Sequence, residues 1–222
     1  MVRESAFRGE SLHDTVDTVV LNSYPSTEHL MRSKILFPAI LCISAALAVI
    51  PASASAAPFT IRVDGLSHGH FTNEHVYGGF GCHGQNVSPR ISWANVPRGT
   101  KSIVVTIFDP DAPTGGLGWT HWEVVNIPPS ESSIEKGASG NPKFLPAGAV
   151  ETLTDFGESR YGGPCPPQGA SHRYVVTASA LDVARIDVAP AASPALVAYQ
   201  MHGKVIAQAK YVAKYHRALT ND

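Results

Sequence analysis

The sequence predicts a β-dominated domain, and three features carry that expectation. Prolines and glycines are scattered along the chain and cut it into short apolar runs, the punctuation of strands and turns rather than of long helices. The best runs, 59–63, 102–108, 122–127 and 173–181, have strand length. Two of them, 103–108 and 124–127, are apolar without alternation, so they read as central strands covered on both faces.

The order of segments begins before the domain. From Met31 the chain reads MRSKILFPAILCISAALAVIPASASAAPFTI: a basic start, an apolar stretch over 35–50, and small residues ending at Ala56. This is the pattern of a secretory leader over residues 31–56 with cleavage after Ala56; the alternative is an uncleaved membrane anchor. Residues 1–30 show no sustained period and are expected to be a disordered, non-native upstream extension, with translation starting at Met31. The domain is then 57–222, a single unit, and its destination is the periplasm or the exterior.

Charge is nearly balanced, with a formal net of −1 for the whole chain and no basic run, which argues against nucleic acid as a partner. Removing the leader removes Cys42 and leaves Cys82 and Cys165. In an exported chain these form a disulfide or stand as two isolated thiols.

Within the domain, residues 59–63 open the strand series. Ser193 followed by Pro194 predicts a helix start in ASPALVAYQMHGKV. KYVAKYH beyond it reads either as a closing strand or as continued helix. Residues 128–169 are rich in Gly, Pro and Ser and read as a long loop carrying function rather than core.

The chemistry gathers in three places. DPDAP ends the run 102–108, where Pro110 and Pro113 stiffen the backbone around Asp109 and Asp111. His121 stands at the head of the next run, and YGGPCPPQGASHRY leads into His172 and Tyr174. Asp109, Asp111, His121 and His172 are thus expected at neighbouring strand ends, a few polar groups converging on one hollow. Arg173 should pair with an acid, Asp109 or Asp155. His68 and His70 have metal-like spacing but read as solvated loop, His83 as exposed, and Trp93, Trp119 and Trp122 as core and cavity wall. No metal site and no cofactor are expected.

The order DPDAP, HWEVVN, GGPCPPQGASHRY resembles the phosphatidylethanolamine-binding protein family, most of all its bacterial Raf-kinase-inhibitor-like branch. GFGCHGQNVSPRISWANVPRGTKSIVV and TDFGESRYGG add to the match. The resemblance implies a β-sandwich with a large central sheet, a smaller sheet and one or two short helices. It implies a binding protein, not an enzyme, with a pocket for a small anion or phospholipid headgroup and an inhibitory role toward a protease or other enzyme. The pocket residues it implies are Asp109, Asp111, His121, Pro166, Pro167, His172 and Tyr174. A Cys82–Cys165 bridge fits the exported bacterial members and would pin GFGCHG to the cavity wall. Two departures bear on headgroup preference: Cys165 stands where eukaryotic members commonly have glycine, and the short tail after Ala213 has no counterpart of their C-terminal helix.

Two carboxylates near an anion repel it unless an aspartate holds a proton or a histidine is charged. The competing reading is a hydrolase using the same Asp and His side chains with a metal or as acid and base. No G-x-S-x-G or H-E-x-x-H motif supports it.

Overall fold

The computed structural model describes residues 56–219. The expected upstream extension and all but the last residue of the expected leader lie outside that range. Two antiparallel sheets make a sandwich. The smaller contains β1 (Thr60–Val63), β2 (Ile91–Ala94) and β5 (Ser133–Ile134) in the order β1-β2-β5. The larger contains β3 (Ser102–Asp109), β4 (Trp119–Ile127), β6 (Val150–Glu151), β7 (Ser171–Leu181) and β8 (Val205–His216) in the order β6-β4-β3-β7-β8.

The two faces of the large sheet explain the unbroken apolar runs. Ile103, Val105, Ile107, Trp122, Val124 and Val176 face the small sheet and pack on Ile91 and Trp93. Val104, Val125 and Leu181 point the other way and are covered by Ile186 and by Val197 of α1 (Pro194–Met201). Burial on both faces removes any need for polar alternation. The helix begins as expected: Ser193 Oγ accepts the Leu196 N–H at 3.3 Å and Pro194 occupies the first turn. It stops before Gly203, whose φ of 75° suits a residue without a Cβ, and the chain then turns into β8.

Of the two alternatives for KYVAKYH, the closing strand holds: β8 pairs with β7 from Ser171↔His216 to Leu181↔Val205. Two other readings need revision. Residues 128–169 are not only loop. They supply β5, β6 and the fully or nearly fully buried Ile134, Ala138 and Tyr161. The strand read as 122–127 begins at Trp119, so His121 lies inside it.

That last correction matters for the site. Ile107 faces Trp122 and Phe108 faces Thr120, which leaves His121 as an extra residue on β4. A bulge of this kind re-aims side chains. Here it turns His121 toward the same face as Trp122, where its ring meets Tyr174 edge-on at 5.0 Å.

Candidate ligand-binding site

Antiparallel pairing brings the end of β3, the start of β4 and the start of β7 to one end of the large sheet. A cavity of about 400 Å³ opens there, lined by polar Asp109, His121, His172 and Arg217 among apolar walls that include Trp119 and Phe156. Asp109 lies at its floor with a side chain only 5% exposed. Its Oδ1 accepts the Asp111 N–H at 2.8 Å, and its Oδ2 lies 2.7 Å from His172 Nδ1. With the proton on Nδ1, His172 donates to Asp109 and leaves Nε2 for a ligand.

His121 is clamped by Gly162. Its Nδ1 donates to the Gly162 carbonyl at 2.6 Å, and the Gly162 N–H donates to the His121 carbonyl at 2.9 Å. Its Nε2 stands 4.0 Å from Asp109 Oδ2. Burial pushes the His121 imidazole down to about 4, against the raising influence of the Gly162 carbonyl and Asp109. At neutral pH His121 is therefore an uncharged ring presenting an acceptor nitrogen.

Asp111 does not line the cavity. It faces outward and binds Arg173 through the backbone N–H at 2.9 Å, Nε at 2.9 Å and Nη2 at 2.6 Å. Hydrogen bonds from Arg173 hold its carboxyl at about 2. Arg173 thus pairs with Asp111 rather than with Asp109 or Asp155. The two aspartates therefore do not face an anion together, because Asp111 is neutralised by Arg173 outside the cavity. Tyr174 lies beneath the lining rather than in it. It is wholly buried, its hydroxyl has no hydrogen-bond partner among the described residues, and burial raises its pKa.

Pro166 and Pro167 line the wall, together with Cys165. Cys165 is bonded to Cys82, joining the loop 79–84 to the cavity. The two glycines of YGGPC are required by close approach: a Cβ on Gly163 would lie 2.0 Å from the His75 carbonyl oxygen, and one on Gly162 would lie 2.4 Å from the Phe156 ring.

Arg217 was not anticipated from the sequence. It follows β8 directly, and its backbone pairs with 169–170 (Arg217 N–H to Ala170 O, Gly169 N–H to Arg217 O), so the edge strand carries it to the cavity. Its Nη1 donates to Phe80 O, Pro166 O and Cys165 Sγ, and its Nη2 to Gly81 O at 2.8 Å. These acceptors belong to the two loops that the disulfide joins. No carboxylate is among them, which leaves a cation in the wall of a cavity whose floor is an aspartate. The only available signal was its place just after a closing strand; nothing in a lone Arg near a terminus points to a pocket.

The other singled-out residues fall as read. His68, His70 and His83 are exposed, Trp93 and Trp122 are core, and Trp119 is cavity wall. His75 is fully buried, with Nδ1 2.7 Å from Val87 O; its Nε2 has no hydrogen-bond partner among the described residues and lies 3.9 Å from Glu74 Oε2. Among the described residues, no group of three or more His, Cys, Asp or Glu is arranged to hold a metal.

A two-sheet antiparallel sandwich with an Asp–His pair in an end cavity, walled by a Pro-rich loop, defines a class of binding-protein fold. The sequence model described as "Phosphatidylethanolamine-binding protein" matches residues 67–216, and the chain belongs to that family. It is 46% identical to UPF0098 protein YbhB of Escherichia coli K12 over 143 residues, 64% of this chain and 90% of that one. It is 44% identical to YbcL of the same strain over 179 residues, covering 79% and 97%. Among solved structures it resembles E. coli YbcL, described as a member of the mammalian PEBP family, with a TM-score of 0.68 and 41% identity over 72% of this chain and 99% of that one. A phosphatidylethanolamine-binding protein homologue from Chlamydia trachomatis gives 0.62 at 32% identity, covering 73% and 99%.

Proposed function

We propose that the chain is an exported binding protein whose end cavity takes a small anion, in particular the phosphate-bearing headgroup of a phospholipid. One observation carries this reading: Arg217 places a guanidinium in the cavity wall, and among the described residues no carboxylate pairs with it. Phosphate lies toward Arg217. An ammonium on the same headgroup lies toward Asp109 and the acceptor Nε2 of His121. The apolar walls, with the half-exposed Trp119 and Phe156, suit the carbon portion next to a headgroup.

The same lining favours holding over hydrolysis by a protein nucleophile. Its sulfur is locked in the disulfide, and its hydroxyl, Thr114 Oγ1, donates to the Gly118 carbonyl at 3.0 Å.

Calorimetric titration tests the reading, with inorganic phosphate, phosphoethanolamine and dihexanoylphosphatidylethanolamine as separate probes. Binding that weakens about tenfold in Arg217→Gln supports it. Tighter binding of the lipid than of phosphate identifies a headgroup as the source. No heat from any of the three, or binding indifferent to Arg217, overturns it.

A further inference from the structure

The opposite face of the large sheet carries a second concavity, of about 690 Å³, that shares no residue with the end cavity. One straight row of paired positions crosses its floor. Glu123 on β4 faces Thr106 on β3, Thr106 faces Thr177 on β7, and Thr177 faces Lys210 on β8. All four side chains line the groove. In order the row reads carboxyl, hydroxyl, hydroxyl, ammonium. Phe108 and Val175, the adjacent pair, form one apolar flank; Met201 of α1 and Val205 of β8 form the other.

Glu123 is the anomaly in this face. It is only 4% exposed, yet its one side-chain hydrogen bond comes from Thr152 Oγ1 at 2.8 Å. Burial pushes its carboxyl up to about 7, and the nearby Asp155 adds to the rise. A buried acid with a displaced pKa at the floor of a cleft, in no ion pair among the described residues, is a mark of a functional site.

The geometry points to a binding site for a short zwitterionic peptide of about three residues, laid across the strands with its ammonium on Glu123 and its carboxylate on Lys210. Length and chemistry both fit. The Cα positions of Glu123 and Lys210 are three strand spacings apart, about 14 Å, and both residues line the groove. An extended tripeptide separates its end charges by about 10 Å. Its amides then pass over the Thr106 and Thr177 hydroxyls, which can donate or accept, and its side chains rest on the apolar flanks.

A cation on Glu123 favours the ionised carboxyl, so binding weakens as the pH falls below about 7. The groups that set this dependence are Asp155 behind Glu123, the neutral Thr106 and Thr152 beside it, and His202 and Lys210 across the groove.

The test uses the native chain and trialanine, with N-acetyl-trialanine and trialanine amide to delete each end charge in turn, followed by calorimetry and by amide chemical shifts. The expected result is saturable binding that shifts amides of β3, β7 and β8. Acetylation should weaken it about tenfold in the parent but not further in Glu123→Gln, and amidation likewise in the parent but not further in Lys210→Gln. Lys210 is exposed, so its replacement leaves folding intact and keeps the test decisive if Glu123→Gln is unstable. Three outcomes overturn the proposal: no saturable shift at millimolar trialanine, equal binding of all three peptides, or binding abolished by Arg217→Gln, which would assign the peptide to the end cavity.

Discussion

Asp109 and His172, from adjacent strands and 63 residues apart in sequence, meet through a 2.7 Å contact between Oδ2 and Nδ1 at the buried floor of the end cavity. The pair is structural as well as chemical. Asp109 also accepts the Asp111 N–H, which fixes the turn after β3. Asp109→Ala therefore orphans a buried ring N–H and a backbone N–H together, and should lower unfolding stability by about 2–4 kcal/mol. Denaturant titration checks this. A loss under about 0.5 kcal/mol would mean that water replaces the carboxylate freely and the pair is not buried as described.

The disulfide should act on both stability and binding. It closes a loop with a sequence separation of 83 residues, and chain entropy then gives an upper figure of about 4–5 kcal/mol. Cys82→Ser with Cys165→Ser should lower the midpoint of unfolding clearly. It should also weaken phosphate binding, because Arg217 takes its acceptors from both joined loops. Unchanged affinity in the folded double variant would show that the hydrogen bonds of Arg217 position it without the bridge.

The strands and the site were legible to different degrees, for physical reasons. Residues 103–108 and 124–127 announce themselves because burial on both faces favours runs without polar alternation. Ile91–Ala94 did not, since four residues with one serine carry too little pattern, and the two-residue β5 and β6 carry none. DPDAP and the two histidines pointed to one end of one sheet because antiparallel neighbours bring those ends together. What sequence could not show was direction. Asp111 and Asp109 are two residues apart on a turn, and only the turn decides that one faces the cavity and the other Arg173. The bulge that aims His121 and the edge pairing that delivers Arg217 both depend on register, which a single chain read in isolation does not display.

Gly163 offers a test of how tightly the Pro-rich wall is seated. A Cβ there would meet the His75 carbonyl oxygen at 2.0 Å and the Tyr77 nitrogen at 2.7 Å, both backbone atoms with little room to yield. Gly163→Ala should destabilise by about 1–3 kcal/mol and displace the wall that carries Cys165 and Pro166. Weaker phosphate binding in the folded variant is the expected companion. A variant as stable as the parent would show that segment 75–77 moves aside at little expense.

Glu123 and His121 make opposing contributions to stability between about pH 4.5 and 6.5. The folded chain holds the Glu123 proton to about 7 against an ordinary value of 4.5, so this contribution is full below 4.5 and is lost as pH rises toward 7. His121 is depressed from 6.5 to about 4, so its contribution is full above 6.5 and is lost as pH falls toward 4. Glu123→Gln removes the first slope and leaves the second. Unfolding stability of the variant should then rise with pH through this window, where the parent stays flatter. The stability difference between parent and variant should shift by about 2–3 kcal/mol in favour of the variant from about pH 5 to pH 8. Urea titrations across that range decide it: a difference independent of pH would show that Glu123 ionises in the folded chain as it does in the unfolded one.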